Sequence, residues 1–387
     1  SLVFPALERP LLSVIVCTHE RPRCHALVLA ALREQRGEPG PGAAPLPPFE
    51  VIVADDGSGA AIAEVVRRFE TGGRFSLQHV RQSDRGFRAA AARNLGARAA
   101  RGEYLVFLDA DCVPLPGFLA AHLSSARPDR VLAGDRLFLG ETVTREVTAD
   151  EAEEGRIARR LSRRQLAALR LRALKNRLYG WTGLKERPKL VTANLSLHRK
   201  SLEAVNGLDE RYQGWGLEDE DLRRRLVRRG YRIHPVTTGA RVVHLWHPLV
   251  GTAGNRIRHG ANASYHQRQT WLACCRHGLV NRSIEACRIA WNGRGAVNGD
   301  GVEISIGWGA DPQWRQAEVR VLLQHGSQWP PHPGRCADLV LVGEGSRVAD
   351  SLSRESEIPA IPIPGGPDPR SEEGRRAILG ALEPVVG

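Results

Sequence analysis

Gly102–Pro114 reads GEYLVFLDADCVP, and the rest of the chain can be ordered around it. Tyr104–Leu108 is an unbroken apolar run without polar alternation, the pattern of a strand covered on both faces. It stops abruptly on Asp109-Ala110-Asp111. Two carboxylates this close at a strand tip repel each other unless a cation lies between them, and oxygen ligands of this kind select a hard divalent ion. Working back toward the N-terminus, Leu11–Cys17 (LLSVIVC) is a second such run and ends on Thr18-His19-Glu20. Glu50–Ala54 (EVIVA) is a third and ends on Asp55-Asp56-Gly57-Ser58. Helical patterns fill the intervals at about 23–36, Ala60–Phe69 and about 87–100, with a short strand at Ser76–Val80. Strands alternating with helices predict an α/β fold with a mostly parallel, doubly wound sheet. Ligands of such sheets bind beyond the carboxyl ends of the strands, where these polar residues gather.

Composition narrows the class. With 387 residues, 42% of them hydrophobic, the chain suits one large domain and a smaller one. No stretch reaches the eighteen or so apolar residues of a membrane span. Seven scattered cysteines without CxxC spacing suggest neither a disulfide framework nor a structural zinc site, and a cytoplasmic location is expected. The net charge of +12 favours anionic partners such as sugar nucleotides, acidic glycans or phospholipid surfaces. No zinc finger, basic zipper or RNP-type aromatic strand is present, so nucleic acid is not an expected partner.

Downstream of the carboxylate strand, residues 151–178 read as one helix. Arg156–Arg177 carries nine Lys or Arg and no acidic residue. Such a helix faces an anionic acceptor, an anionic membrane surface (peripheral association) or simply solvent. Leu190–Val243 reads as strand, helix, glycine-rich turn, helix and strand. Its turn is Gly214-Trp215-Gly216-Leu217, followed by Glu218-Asp219-Glu220-Asp221 and then Arg223-Arg224-Arg225. Acidic residues suit a helix N-terminus, and Asp219/Arg223 and Glu220/Arg224 have the spacing of surface ion pairs. A tryptophan between glycines also suits a platform for the apolar face of a sugar ring. A carboxylate crowded by like charges gains the raised pKa of a general base. His244, in His244-Leu-Trp-His247 after the strand Arg241–Val243, could complete a metal shell begun by Asp111.

Seven segments, in order, resemble the family-2 inverting glycosyltransferases of GT-A fold, in the branch with a galactosyltransferase-type C-terminal motif that includes bacterial chondroitin-polymerase-like and capsular enzymes. They are Ser13–Arg21, Val51–Ser58, Asp84–Asn94, Gly102–Pro114, Thr192–Ser196 (TANLS), Val205–Leu222 and Val242–Pro248. The resemblance implies a GT-A sheet flanked by helices, spanning 1–282, with a donor half to about 135 and an acceptor half to about 282. It implies a nucleotide-sugar donor, most readily a UDP-sugar of galactose, N-acetylgalactosamine or glucose type, and a glycan or small-molecule hydroxyl acceptor. GDP- or dTDP-sugars, or a non-catalytic glycan- or nucleotide-binding protein, are the alternatives. By the same resemblance Thr18, Glu20 and Asp56 line the nucleoside pocket and Arg93 lies near the diphosphate. Asp109 reaches ribose and metal. Asp111 and His244 hold Mn²⁺ or Mg²⁺. Asp219 is the base, Glu218 orients it, Trp215 stacks on a sugar, and Asn194 of the TANLS segment contacts the acceptor. Leu208 stands where the family usually has an aromatic residue.

Residues 283–387 resemble nothing in that family. Strands are expected at Val319–Leu323 and Ala337–Val342, helices at Arg347–Glu355 and Glu372–Val385, and a proline-rich connection at Ile358–Gly366. Together they make a small α/β appendage.

Overall fold

The computed structural model describes residues 12–36, 45–70, 75–182, 189–248, 261–269 and 274–281. Beyond these it describes 287–291, 301–308, 319–324, 339–343, 360–363, 371–373 and 376–377. The chain divides into two compact units, Ser1–Ala263 and Ser264–Gly387.

In the first unit β1 (Leu12–Thr18), β2 (Phe49–Asp55), β3 (Phe75–Arg81) and β4 (Tyr104–Asp109) run parallel in the order 3-2-1-4. Successive residues Val14, Ile15 and Val16, like Val51, Ile52 and Val53, are all fully buried, so both faces of the sheet are covered. That double coverage is why these strands read as continuous apolar runs. Helices α1 (Pro22–Arg33), α2 (Ala60–Phe69) and α3 (Ala89–Ala99) make the crossovers. α3 is rich in alanine because it lies almost on the sheet: a Cβ on Gly96 would come within 2.6 Å of Ile15 Cγ2.

Beyond β4 the sheet turns mixed. β5 (Cys112–Pro114) and α4 (Phe118–Ser125) lead to β6 (Arg130–Ala133) and β7 (Asp135–Phe138). β8 (Asn194–His198) pairs antiparallel with β4 and β6, and β9 (Arg232–Pro235) closes the seven-stranded sheet. β10 (Arg241–His244) leaves it to form a small sheet between β5 and β7, with His244 opposite Cys112. This small sheet carries the predicted histidine to the tip of β4.

The single helix expected over 151–178 is broken. α5 (Glu141–Glu146) and α6 (Ala149–Glu153) precede Gly155, which adopts φ 70 and packs where a Cβ would meet Pro116 at 2.3 Å. A 3-10 turn, Arg156–Arg160, follows, and α7 (Arg163–Thr182) starts afresh on a box between Ser162 and Gln165. Part of the expected basic surface is neutralised, since Arg160 pairs with Glu146 at 2.8 Å and with Glu151 at 3.1 Å.

α8 (Arg199–Ala204) and α9 (Glu218–Arg228) complete the unit. Of the two ion pairs expected on α9, Glu220–Arg224 forms at 3.2 Å, while Arg223 turns to Glu220 at 2.6 Å. Arg225 is buried. It donates to Asp221 at 2.8 Å and to the carbonyls of Val205 and Gly207 at 2.6 and 2.7 Å, pinning the left-handed Asn206-Gly207 turn. Arg225→Leu leaves a buried carboxylate and two carbonyls without their donor. It should cost about 3–5 kcal/mol in a urea unfolding experiment. A loss below about 1 kcal/mol, the range of an exposed pair, would show that the guanidinium is dispensable there.

The second unit carries a five-stranded sheet in sequence order: β11 (Cys287–Trp291), β12 (Gly301–Trp308), β13 (Val319–Gln324), β14 (Leu339–Gly343) and β15 (Ala360–Ile363). Its first two pairings are antiparallel and its last two parallel. The strands expected at 319–323 and 337–342 are present. β15 occupies part of the stretch expected as a connection. The helix expected at 347–355, and most of that at 372–385, lie outside the described residues.

Candidate active site

The tips of β1, β2 and β4 open into a cavity of about 310 Å³. After β1, Glu20 and Arg21 take left-handed φ values of 57 and 61, uncommon for non-glycine residues. The turn is held by Glu20 N–H donating to Ser58 Oγ (2.8 Å) and by Gly59 N–H donating to Glu20 Oε1 (2.8 Å). Asp55 is structural. Its oxygens accept from Ser58 N–H and meet His79, bonds that outweigh burial and hold its carboxyl low. Asp56 instead faces the cavity, with Arg88 N–H donating to it at 2.6 Å.

Arg93, on α3, is the hub. It is buried, donates to Asp109 Oδ1 at 2.8 Å, and lies 3.7 Å from Glu218 Oε1. Burial alone would lower the guanidinium's pKa, but the carboxylates of Asp109, Asp219 and Glu218 keep it above its ordinary value. One permanent cation therefore joins the tip of β4 to the start of α9.

At the other side of the β4 tip, Asp111 Oδ2 lies 2.7 Å from Arg21 Nη1 and 3.3 Å from His247 Nε2. Its Oδ1 lies 3.6 Å from His244 Nε2. Leu245 N–H donates to the Asp111 carbonyl (2.8 Å), which fixes both histidines against the carboxylate. Burial lowers the pKa of His244, keeping it in the neutral, ligating form. Cys112 Sγ falls with Asp111 and His244 in one cluster whose ligand atoms lie within 4.8 Å of one another. Burial and the nearby carboxylate push that thiol well above its usual range, so it remains a core thiol. Asp111 and His244 could hold a divalent cation, while His247 Nε2 faces the other oxygen of the same carboxylate.

Trp215 enters the cavity from a loop whose Gly214, Gly216 and Leu217 all have positive φ (78, 105 and 77), and it stays 47% exposed. Glu218 and Asp219 begin α9 just behind it. Burial and the neighbouring Asp219 push Glu218 up to about 7. Burial also raises Asp219, which accepts from Thr192 N–H at 3.2 Å, while Arg93 pulls it back.

Thr18, Glu20, Asp56, Arg93, Asp109, Asp111, Trp215 and His244 thus share one cavity. Glu218 and Asp219 stand behind its lining, linked to it through Arg93. Asn194 is not brought there. It is fully buried in β8, its Nδ2 donating to the carbonyls of Asp135 (3.0 Å) and Ala240 (2.9 Å). Its Oδ1 accepts from His122 Nε2 at 3.0 Å, so His122 Nδ1 is left to accept from Ser196, which in turn accepts from Tyr104. Asn194 is saturated by this core network. Arg21, Phe87, Arg136 and His247 line the cavity without having been singled out from sequence. His247 was legible as the second histidine of an HxxH pair; the others carry no local signal.

A mostly parallel sheet turning mixed at its far half, with carboxylates at the central strand tip and histidines brought to them by a small second sheet, is the arrangement expected of a GT-A domain. Residues 13–178 match the family described as Glycosyl transferase family 2, and residues 172–248 match that described as the N-terminal domain of galactosyltransferase. The two matches run on from one another and together span residues 13–248. The chain is 29% identical over 254 residues to a chondroitin synthase of Escherichia coli, covering 60% of this chain and 34% of that protein. It is 31% identical over 253 residues to a validoxylamine A glucosyltransferase of Streptomyces hygroscopicus subsp. limoneus, covering 58% and 48%. It therefore spans a third to a half of these relatives. A mannosyltransferase of Pyrobaculum calidifontis, solved with GDP-Man and Mn²⁺, is similar with TM-score 0.44 and 22% identity over 68% of this chain and 64% of that one.

Proposed function

We propose that this protein is a metal-dependent inverting glycosyltransferase that moves a sugar from a UDP-sugar to an acceptor hydroxyl. The observation that carries this reading is the buried Arg93, which holds Asp109 and Glu218 around one cation between the carboxylate strand tip and the acidic helix start. Donor and acceptor chemistry then lie on either side of one residue.

Thr18, Glu20 and Asp56 supply acceptor oxygens for the base and ribose of the nucleoside. Asp111, His244 and His247 would hold the ion, with Asp109 alongside. A divalent ion bound there would neutralise the diphosphate and stabilise the departing nucleotide. Two imidazoles beside a carboxylate suit Mn²⁺ better than Mg²⁺, which prefers oxygen ligands. Trp215 offers its exposed face to a sugar ring. Asp219, partly exposed and positioned by Thr192, takes the proton of the acceptor hydroxyl, while the more buried Glu218 keeps it in place. Direct attack by that hydroxyl inverts the anomeric carbon and needs no protein nucleophile. Cys17, the thiol in the cavity, is pushed by burial up to about 12 and stays unreactive. A cytoplasmic location belongs to the same proposal and rests on the cysteine spacing.

The donor is tested by release of free sugar from UDP-, GDP- and dTDP-sugars with and without Mn²⁺. UDP-sugars should lead, with GDP- or dTDP-sugars as the second reading. Equal release from all three would remove the nucleotide assignment.

A pH dependence follows from the raised carboxyls. The base must be ionised, so turnover is present above the pair's pKa and lost as pH falls through it. With Glu218 at about 7 and Asp219 raised, kcat should climb between about pH 6 and about pH 8. Arg93→Gln removes the cation that lowers both groups and should move this limb to higher pH. A kcat that is flat from about pH 5 upward, as for an ordinary carboxylate, would contradict the assignment.

A further inference from the structure

α7 has two apolar faces, and the fold uses one. Leu169 is buried and Leu166 packs against the core. The inner side is tied to β7 by Gln165, donating to the Phe138 carbonyl at 2.6 Å, and by Arg172, donating to Asp135 at 2.7 Å. On the opposite side Leu171, Leu174 and Leu178 are 67%, 56% and 54% exposed. At 3.6 residues per turn these three and Ala167 fall within about 60° of arc. Arg163 and Arg170 flank the stripe on one side, and Arg164 and Lys175 flank it on the other. Arg163, Arg164 and Arg170 are exposed, and among the described residues no acidic side chain pairs with them. An apolar stripe between two rows of cations is the pattern of a helix lying in a lipid–water interface.

We propose that the outer face of α7 docks this protein on an anionic bilayer, with Leu171, Leu174 and Leu178 entering the acyl boundary and the arginines meeting lipid phosphates. The charge pattern favours this occupant over a second copy, because self-association would set the two arginine rows against their own like. β7, which α7 grips, also carries Arg136 into the cavity. Docking therefore sets the Arg136 side of the cavity about one helix diameter, about 10 Å, from the membrane.

The test is co-sedimentation of the full chain with phosphatidylcholine vesicles, with and without phosphatidylglycerol, in the absence of any donor. Its failure is therefore separate from failure of the transferase reading. Binding should require the anionic lipid and weaken as salt rises. Leu171→Gln/Leu174→Gln/Leu178→Gln and Arg163→Gln/Arg164→Gln/Arg170→Gln should each weaken it roughly tenfold to a hundredfold. Circular dichroism should show unchanged folding for both, since glutamine is a good helix former. Absence of binding at low salt overturns the proposal, as does equal binding by the leucine variant. A dimer that the leucine variant dissociates would assign the face to a second copy. Binding of a soluble acidic glycan that depends on the arginines but not the leucines would assign it to the acceptor. Either result also overturns membrane docking.

Discussion

Asp111→Asn is expected to lose Mn²⁺ and donor binding together and to cut transfer by at least about 10²–10³-fold. The change is nearly isosteric but removes the anion on which Arg21, His244 and His247 converge. Without it the tip of β4 keeps Asp109, which is already committed to Arg93, and the cationic Arg21 then opposes any metal. Mn²⁺ titration followed by electron paramagnetic resonance separates this from misfolding, and a thermal melt close to wild type would confirm an intact fold. Unchanged Mn²⁺ affinity in the variant would move the metal elsewhere.

Asp219→Asn should reduce turnover by roughly 10²–10⁴-fold, the usual range for loss of a general base, with donor affinity nearly intact. The separation is expected because Asp219, in the first turn of α9, is not among the residues that line the cavity with Asp56 and Asp111. Its bond from Thr192 N–H can be kept by an asparagine oxygen, so geometry survives while basicity is lost. Near-wild-type turnover would pass the role to Glu218, and a parallel loss of donor affinity would make Asp219 a donor ligand.

Much of the donor half was legible in sequence for a simple physical reason. A parallel strand buried on both faces must be apolar throughout, and the first polar residues after it must sit at its tip. Asp56, Asp109 and Asp111 could thus be placed from their positions alone, and α2 is found at the bounds read from its pattern. The cavity's other walls depend on long-range pairing. Nothing local to Arg136 shows that β7 will pair with β10 beside the tip of β4, and nothing local to Arg21 shows that a left-handed turn will swing it onto Asp111. Asn194 illustrates the reverse failure. Its family segment suggested the acceptor, but the close approach of Gly134, where a Cβ would lie 2.1 Å from Asn194 Cγ, makes it a core fastener.

Basic and leucine spacing continue through Gly155 and so read as one helix over 151–178, although Ser162 and Gln165 carry the spacing of a capping box, the signal of a fresh start. In the second unit, Val302, Ile304, Ile306 and Trp308 alternate with smaller or polar residues, the strand signal of β12. β15 contains Pro362, a residue that ordinarily marks a sheet edge, and β15 is an edge strand of its sheet.

Metal-dependent displacement with inversion is tested most directly by recording proton NMR spectra of the free sugar first released from an α-linked UDP-sugar by the full chain in Mn²⁺. The β-anomer should appear first, before mutarotation, and release should stop on adding EDTA and resume with excess Mn²⁺. First release of the α-anomer, or release unaffected by chelation, would contradict the roles given to Asp111, His244 and Asp219.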